Sequence, residues 1–489
     1  MADSGQKPHA ILISYPLQGH IIPSVHLACR LAEKGFTVTF INTHSVHYHL
    51  TKSNPRDDDI FSGIRKPGLD IRYVTISDGL PPEWDRAVNH DQFMASLLHI
   101  YSAHVEEALK KILTSSANSG GPPVNCLIAD TFFVFPGKLA KKYKLLYISF
   151  WTEPALVFTL YYHLHLLRLN GHFGCIDVRE DAIEYVPGVR SIDVKDLMSY
   201  IQETETETVC HQIIYKSFQD ARNADFVLCN TVQELEHETV AALQEKTSFF
   251  TVGPIFPPVF AQSAVATSLW SESDCTHWLD KKPHRSVLYV TFGSYAHLSK
   301  HVLLEIAHGL SLSKVNFLWA LRPDIVSSDD SDPLPGDLRA EVSDRSMIIP
   351  WCNQKQVLAH PAIGGFLSHC GWNSSMESMW CEVPMLCFPL LTDQFTNRKL
   401  IVHDWKFGLN LCDRKPVSKL EISDKIKRLM GGKTSDELRN AVKQVKKTME
   451  AALSPNGSSQ KNMDKFIKDV NTAIQQKKKQ TSFIEIHRN

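Results

Sequence analysis

The sequence predicts an α/β protein of two doubly wound units, each a parallel sheet covered by helices on both faces, set across a cleft. Three observations lead there. Short apolar runs rich in β-branched and aromatic residues alternate with helical periods from the start of the chain, as in parallel strands joined by crossover helices. The alternation lapses over residues 256–275 and then restarts. A chain of 489 residues also exceeds what one hydrophobic core ordinarily serves.

In the first unit, residues 1–255, "AILISYP" ending at Pro16 is a strand and "HLACRLAEKG" a helix stopped by Gly35. "FTVTFINT", "VNCLIAD" (124–130), "LLYISFW" (145–151), "ADFVLCNT" and "FFTVGP" continue the series of strands. "FPPVFAQSAVATSLWSESD" keeps no period, so residues 256–275 read as a linker. The second unit, residues 276–462, restarts with "SVLYVTFGS", "NFLWALRP", "SMIIPW", "IGGFLSH" and "PMLCFPL", with a polar surface loop at 327–337. Leu438, Val442, Val445 and Met449 mark one face of a helix. Met463, Phe466, Ile467, Val470 and Ile474 mark a last one in residues 463–489, where the lysines at 477–479 read as a solvated end.

Bulk numbers exclude several classes. Basic and acidic residues balance, 52 against 53, so nucleic acid is not an expected partner. The eleven cysteines are odd in number and lack metal-binding spacing, and they read as free thiols of a reducing compartment. The longest apolar run, from Ala155, is broken by histidines and too short to span a bilayer, and no cleavable leader is visible. A cytoplasmic protein is expected.

In doubly wound sheets ligands bind beyond the carboxyl ends of strands. His20 follows the first strand beside Gly19, and Asp130 ends "VNCLIAD". A histidine whose tautomer is fixed by a carboxylate can take a proton at neutral pH. A turn histidine and a strand-end acid also meet by chance, so the residues alone leave this pair open. The segment 351–394 is more specific. "GFLSHCGWNSSMES" is a strand, a Cys370-Gly371 turn and a helix beginning near Trp372, whose free N–H groups suit a phosphate. His369, Asn373 and Ser374 add donors at that end, and Glu377, one turn deeper, suits the two hydroxyls of a ribose. Trp351 suits stacking on a base. Asp393 and Gln394 follow a further strand and suit a sugar. Taken singly, Trp351 and Trp372 read equally as core and Glu377 as a solvated helix residue; it is their joint spacing that points to a nucleotide sugar.

That segment resembles the plant secondary-product glycosyltransferase box, the donor site of plant UDP-glycosyltransferases. "QGHIIP", "CLIAD", "FWTEPA", "NTVQELE", "VGPI" and "VTFGS" fall in that family's order over essentially the whole chain. The resemblance implies the GT-B fold: an N-terminal acceptor-binding Rossmann-like domain, a C-terminal UDP-sugar domain and a last helix returning to the first. It implies an inverting, metal-independent reaction with UDP-glucose as co-substrate, no cofactor, and a small hydrophobic hydroxylated acceptor such as a terpenoid, flavonoid or other phenolic. A monomer is expected. By position it makes His20 the catalytic base and Asp130 its partner. Trp351, Gln354 and the Cys352 backbone fall to the uridine, Glu377 to the ribose. Ser294, His369, Gly371, Asn373 and Ser374 fall to the diphosphate, and Thr152, Trp372, Asp393 and Gln394 to the sugar. Leu17, His90, Phe132, Phe133, Glu153, Tyr295 and Leu391 would line the acceptor pocket, with the 53–68 loop shaping its mouth. Glu153 reads equally as an acceptor contact or as a helix N-terminal residue held by the dipole.

The sequence departs from the family in places. The box opens "WCNQ" where "WAPQ" is usual, so base binding rests on the Cys352 backbone and Asn353 loosens the turn. His301 replaces a common Gln on what reads as a helix surface. His44, His47 and His49 superficially suggest a metal site but fall where the family places a loop near the acceptor pocket. A nucleotide-sugar binding protein without transfer is the competing reading, against which both His20 and Asp130 are present. A nicotinamide oxidoreductase would need a GxGxxG after a first strand, and none follows.

Overall fold

The computed structural model describes residues 7–53, 59–64, 68–175, 179–257, 260, 270–326, 333–411 and 416–486. Its strands are β1 (His9–Ile13), β2 (Thr37–Thr43), β3 (Asp70–Ile76), β4 (Val124–Asp130), β5 (Leu146–Trp151), β6 (Phe226–Cys229), β7 (Phe249–Thr251), β8 (Val287–Thr291), β9 (Asn316–Ala320), β10 (Ser346–Ile349), β11 (Ile363–Ser368), β12 (Met385–Cys387) and β13 (Gly408–Asn410). They form two sheets, ordered β3-β2-β1-β4-β5-β6-β7 and β10-β9-β8-β11-β12-β13. Neighbouring strands run parallel, for instance β1 with β2 and β4, and β8 with β9 and β11.

Strands β1, β2 and β5 are buried at every position, which is why they read as continuous runs rather than alternations. Ala10 and Leu12 of β1 pack on Val25 and Leu31 of the Gln18–Glu33 helix. Ile11 and Ile13, on the opposite face, pack on Phe93, Leu97 and Val105 of the His90–His99 and Tyr101–Asn118 helices. Strand order reverses between β1 and β4 and again between β8 and β11. Each reversal opens a crevice beyond the carboxyl ends of the strands.

The two units are joined by apolar and polar contacts. One buried cluster runs from Trp151 and Phe158 to Met376 and Val442. Asp196 of the first unit and Arg398 of the second form a buried ion pair at 2.5 Å, and the Thr396 hydroxyl donates to the Asp196 carbonyl at 2.7 Å. The last helix, Ser458–Ile486, returns to the first sheet, where Met463, Phe466, Val470 and Ile474 join its core.

Several expectations need correction. Strands β3 and β13 were not anticipated: β3 is a half-exposed edge strand carrying Asp70 and Arg72, and β13 is three residues around a glycine. Residues His44–Ser53 form a helix, not a loop. The last helix begins at Ser458, and Lys477 is no free solvated end, since its Nζ donates to the Leu145 carbonyl at 2.9 Å. Much of the 256–275 linker, and parts of the 53–68 and 327–337 loops, lie outside the described residues. Among the described residues no helix is long and apolar enough to cross a membrane.

Candidate active site

Both crevices open on one cavity of about 660 Å³. His20 lies in the first turn of the Gln18–Glu33 helix, which begins directly after the Pro16-Leu17 turn. Asp130 is the last residue of β4, the strand beside β1, so the topology places the two together. The His20 Nδ1 is 2.8 Å from the Asp130 Oδ2 and 3.0 Å from the Thr152 Oγ1. The other Asp130 oxygen accepts the Phe132 N–H at 3.0 Å, which fixes the carboxylate from both sides. A carboxylate at Nδ1 assigns the proton there and leaves Nε2 with a free lone pair. His20 lines the cavity, with the Tyr15 and Phe132 rings 5.4 and 5.7 Å from its own.

The second unit faces it. Strand β11 ends at Ser368, Cys370 takes a left-handed backbone (φ 67°), and the Trp372–Trp380 helix starts after Gly371. The His369 ring is wedged between two glycines: a Cβ on Gly293 would lie 2.5 Å from its Nε2, and one on Gly371 2.6 Å. Burial, then the Arg322 charge, holds the His369 imidazole down to about 4, so it is neutral near pH 7. The buried Arg322 guanidinium donates to the Gly293 and Ala296 carbonyls at 2.8 and 2.6 Å, fixing the turn that carries Ser294 and Tyr295. The helix start offers N–H groups with no intrahelical partner and the positive end of its dipole. Asn373 Nδ2 donates to the Gly19 carbonyl at 2.8 Å, so helix start and base are tied across the cleft.

Asp393 and Gln394 lie at the same cavity wall. The Asp393 carboxylate accepts from the Thr392 hydroxyl and from Asn397 Nδ2, and burial raises its pKa. The Gln394 Oε1 accepts the Leu390 and Leu391 N–H groups at 2.9 and 3.0 Å, leaving its NH₂ for other partners. Leu17, His90, Phe132, Glu153, Tyr295 and Leu391 line the cavity with Thr152, Ser294, His369, Gly371, Trp372 and Asn373.

Trp351, Gln354, Ser374 and Glu377 form a neighbouring group. Gln354 Nε2 donates to Glu377 Oε2 at 2.8 Å and to the Ser374 hydroxyl at 3.0 Å. The Trp351 ring lies 6.4 Å from that of Trp270, tilted by 32°. The Cys352 side chain is buried, its sulfur 3.5 Å from the Tyr289 hydroxyl.

The family model described as UDP-glucoronosyl and UDP-glucosyl transferase matches residues 272–444. UDP-glycosyltransferase 86A1 of Arabidopsis thaliana is 51% identical over 487 residues, covering 98% of each chain. The chain belongs to the plant UDP-glycosyltransferase family. The 7-deoxyloganetin glucosyltransferase of Gardenia jasminoides is 36% identical over 483 residues, covering 94% of this chain and 97% of its own. The solved structure of Phytolacca americana UGT2 complexed with UDP-2fluoro-glucose and pterostilbene superposes with a TM-score of 0.76 at 26% identity, covering 95% of this chain and all of that one. This glycosyltransferase therefore has the GT-B arrangement of two Rossmann-like domains, and it takes a UDP-sugar and a small-molecule acceptor.

One expected pocket residue is not in the transferase's cavity wall. Phe133 is 1% exposed and its ring stacks on Tyr101 at 5.4 Å. The two rings part at the turn that follows β4, where the Phe133 N–H donates to the Asp130 carbonyl: Phe132 faces His20 and Phe133 enters the core. The Trp372 indole is anchored across the domain boundary, its Nε1 donating to the Asn230 carbonyl at 2.8 Å. Sequence reasoning missed Asn230, Trp270 and Arg322. Asn230 and Arg322 follow β6 and β9 at the strand ends where function was sought, whereas Trp270 lay in a stretch without period. His44, His47 and His49 occupy a helix, and among the described residues no group of three or more His, Cys, Asp or Glu side chains could hold a metal ion.

Proposed function

We propose that this transferase moves glucose from UDP-glucose to a hydroxyl of a small, largely apolar acceptor with inversion, giving a β-glucoside. The observation that carries the reading is the 2.8 Å His20–Asp130 pair opening on the same cavity as the start of the Trp372–Trp380 helix. The acceptor hydroxyl lies at His20 Nε2, which takes its proton as the oxygen attacks the anomeric carbon. The bond from that carbon to the diphosphate breaks on the opposite face, and UDP leaves with the electron pair. Asp130 stabilises the imidazolium, a contribution general-base catalysis places at ~10²–10⁴-fold. The helix N–H groups, with Asn373, Ser374, Ser294 and neutral His369, take up the charge growing on the diphosphate.

Trp351 stacks on uracil, with Gln354 and the Cys352 backbone at its edge. Glu377 holds the ribose, its hydroxyls sharing the contact Gln354 now makes. Asp393, the Gln394 NH₂, Thr152 and the Trp372 backbone hold the glucose. On this division residues 1–255 bind acceptor and 276–462 donor, with the last helix packing back on the first domain through Met463, Phe466, Val470 and Ile474. Buried free thiols support a cytoplasmic setting, and we take the working unit to be a monomer. A relative named for 7-deoxyloganetin and a neighbour holding pterostilbene support a small hydroxylated acceptor, terpenoid or phenolic. The test is acceptor mass gain and UDP release from UDP-glucose with a panel of plant phenols and terpenoid alcohols, for wild type and His20→Ala. Product from wild type alone is expected. Full activity of His20→Ala would remove the base, and stabilisation by UDP without product from any acceptor would leave a binding protein.

A further inference from the structure

Glu153 follows Thr152 at the end of β5, two residues before the Ala155–Tyr162 helix. A carboxylate there would ordinarily serve the helix N-terminus. Glu236 already does so. Its Oε2 accepts the Ala155 N–H at 3.0 Å and its Oε1 the Leu156 N–H at 2.8 Å, and the Thr231 hydroxyl donates to the same carboxylate. Glu153 is left with other work. It is 8% exposed, its Oε2 is buried without a hydrogen-bond partner, and it lines the cavity that holds His20. Buried carboxyl oxygens are almost always paired, so an unpaired one on a residue that lines a cavity calls for an explanation, and a ligand group supplies one.

We propose that Glu153 selects the acceptor: it binds a second, uncharged oxygen of the acceptor, a hydroxyl or carbonyl, while His20 works on the first. This rests on the cavity being the acceptor site, as argued above. His20 and Glu153 line the same cavity, so one small molecule can reach both. Burial, then the charges of Asp393 and Asp130, raises the Glu153 carboxyl well above the usual carboxylate range. Both causes favour the protonated form, which has an O–H to give and an oxygen to receive. An acceptor carboxylate would instead add a further acid to a pocket wall that already holds Glu153 and Asp393 beside Asp130. Among the described lining residues the lysine and arginine are Lys52 and Arg86. Arg86 is spent on Asp78, with contacts of 2.8 and 2.9 Å, and Lys52 is exposed at the mouth. Neither is positioned to receive an acid deep in the cavity.

The test uses rigid apolar probes with UDP-glucose: 2-naphthol, the 2,3-, 2,6- and 2,7-dihydroxynaphthalenes, and 6-hydroxy-2-naphthoate. For wild type, kcat/KM for at least one diol should exceed that for 2-naphthol by about 10- to 100-fold, the range for a buried polar group gaining its partner. The naphthoate should fall below 2-naphthol. In Glu153→Leu the diol-to-naphthol ratio should collapse to near one, and Glu153→Gln, which keeps a neutral hydrogen-bonding group, should retain most of it. Stabilisation by UDP confirms that each variant is folded. Equal kcat/KM for 2-naphthol and every diol, a preference untouched by Glu153→Leu, or a naphthoate used as well as the diols would overturn the role of Glu153 alone. Turnover of no probe at all would overturn the reading of the cavity on which it rests.

Discussion

Replacing Asp130 by asparagine should remove the base and leave the donor site whole. The two carboxylate oxygens both accept: Oδ2 faces His20 Nδ1 at 2.8 Å and Oδ1 faces the Phe132 N–H at 3.0 Å. Asparagine has one oxygen and one NH₂ for these places. If the oxygen stays on the backbone N–H, the NH₂ points at Nδ1, which must then accept, and the ring proton moves to Nε2. The nitrogen facing the acceptor hydroxyl then carries a proton and takes none. The reversed orientation sets NH₂ against the Phe132 N–H inside a site where Asp130 is 2% exposed. Either way the general-base contribution, ~10²–10⁴-fold, is lost from kcat. KM for UDP-glucose should stay near the wild-type value, because Asp130 touches none of the donor residues. The assay is UDP release at saturating acceptor, with product confirmed by mass. Wild-type kcat in Asp130→Asn would refute the argument, since the wrong tautomer would then be no handicap.

Three further outcomes follow from the same geometry. Trp351→Ala should raise KM for UDP-glucose roughly 10- to 100-fold through loss of about 1–3 kcal/mol of base stacking, with acceptor KM little changed; steady-state kinetics in both substrates separates the two. Asp196→Ala takes the carboxylate from Arg398 between the domains, where the pair is 3% and 5% exposed, and should destabilise by about 3–5 kcal/mol in denaturant titration. An Asp196→Leu/Arg398→Met double variant should recover most of that. Burial, then the Lys355 charge, holds His26 down to about 3 against 6.5 when unfolded. The unfolded chain thus binds the proton first as pH drops, and stability present at pH 7 should fall by roughly 2–3 kcal/mol by pH 4.5 on account of this group. The buried carboxyls Glu153, Glu377 and Asp393, whose pKa values are raised, act in the opposite sense and cancel between variants. His26→Leu should therefore lose less melting temperature from pH 7 to pH 4.5 than wild type, and an equal loss would contradict this account of His26.

Most of the sheet framework was legible because buried parallel strands are unbroken apolar runs, as in β1, β4 and β11. The edges were not: β3 alternates charge with apolar residues, and β13 is held by its neighbour rather than by its own composition. The donor half of the site was legible since all its groups but Ser294 and Thr152 fall within one 44-residue segment, 351–394, in a fixed order. Contacts between distant segments were not. Nothing local in Phe132-Phe133 says which ring faces His20. Only the fold reveals that Glu236 serves the helix near Glu153, that Trp372 reaches Asn230, or that Lys477 is tied to Leu145.

The most direct test is a crystal structure with UDP and 2-naphthol bound together. The account predicts the diphosphate on the N–H groups that open the Trp372–Trp380 helix and the naphthol oxygen within hydrogen-bond reach of His20 Nε2. A diphosphate bound elsewhere, or a naphthol seated with His20 turned away from its hydroxyl, would contradict it.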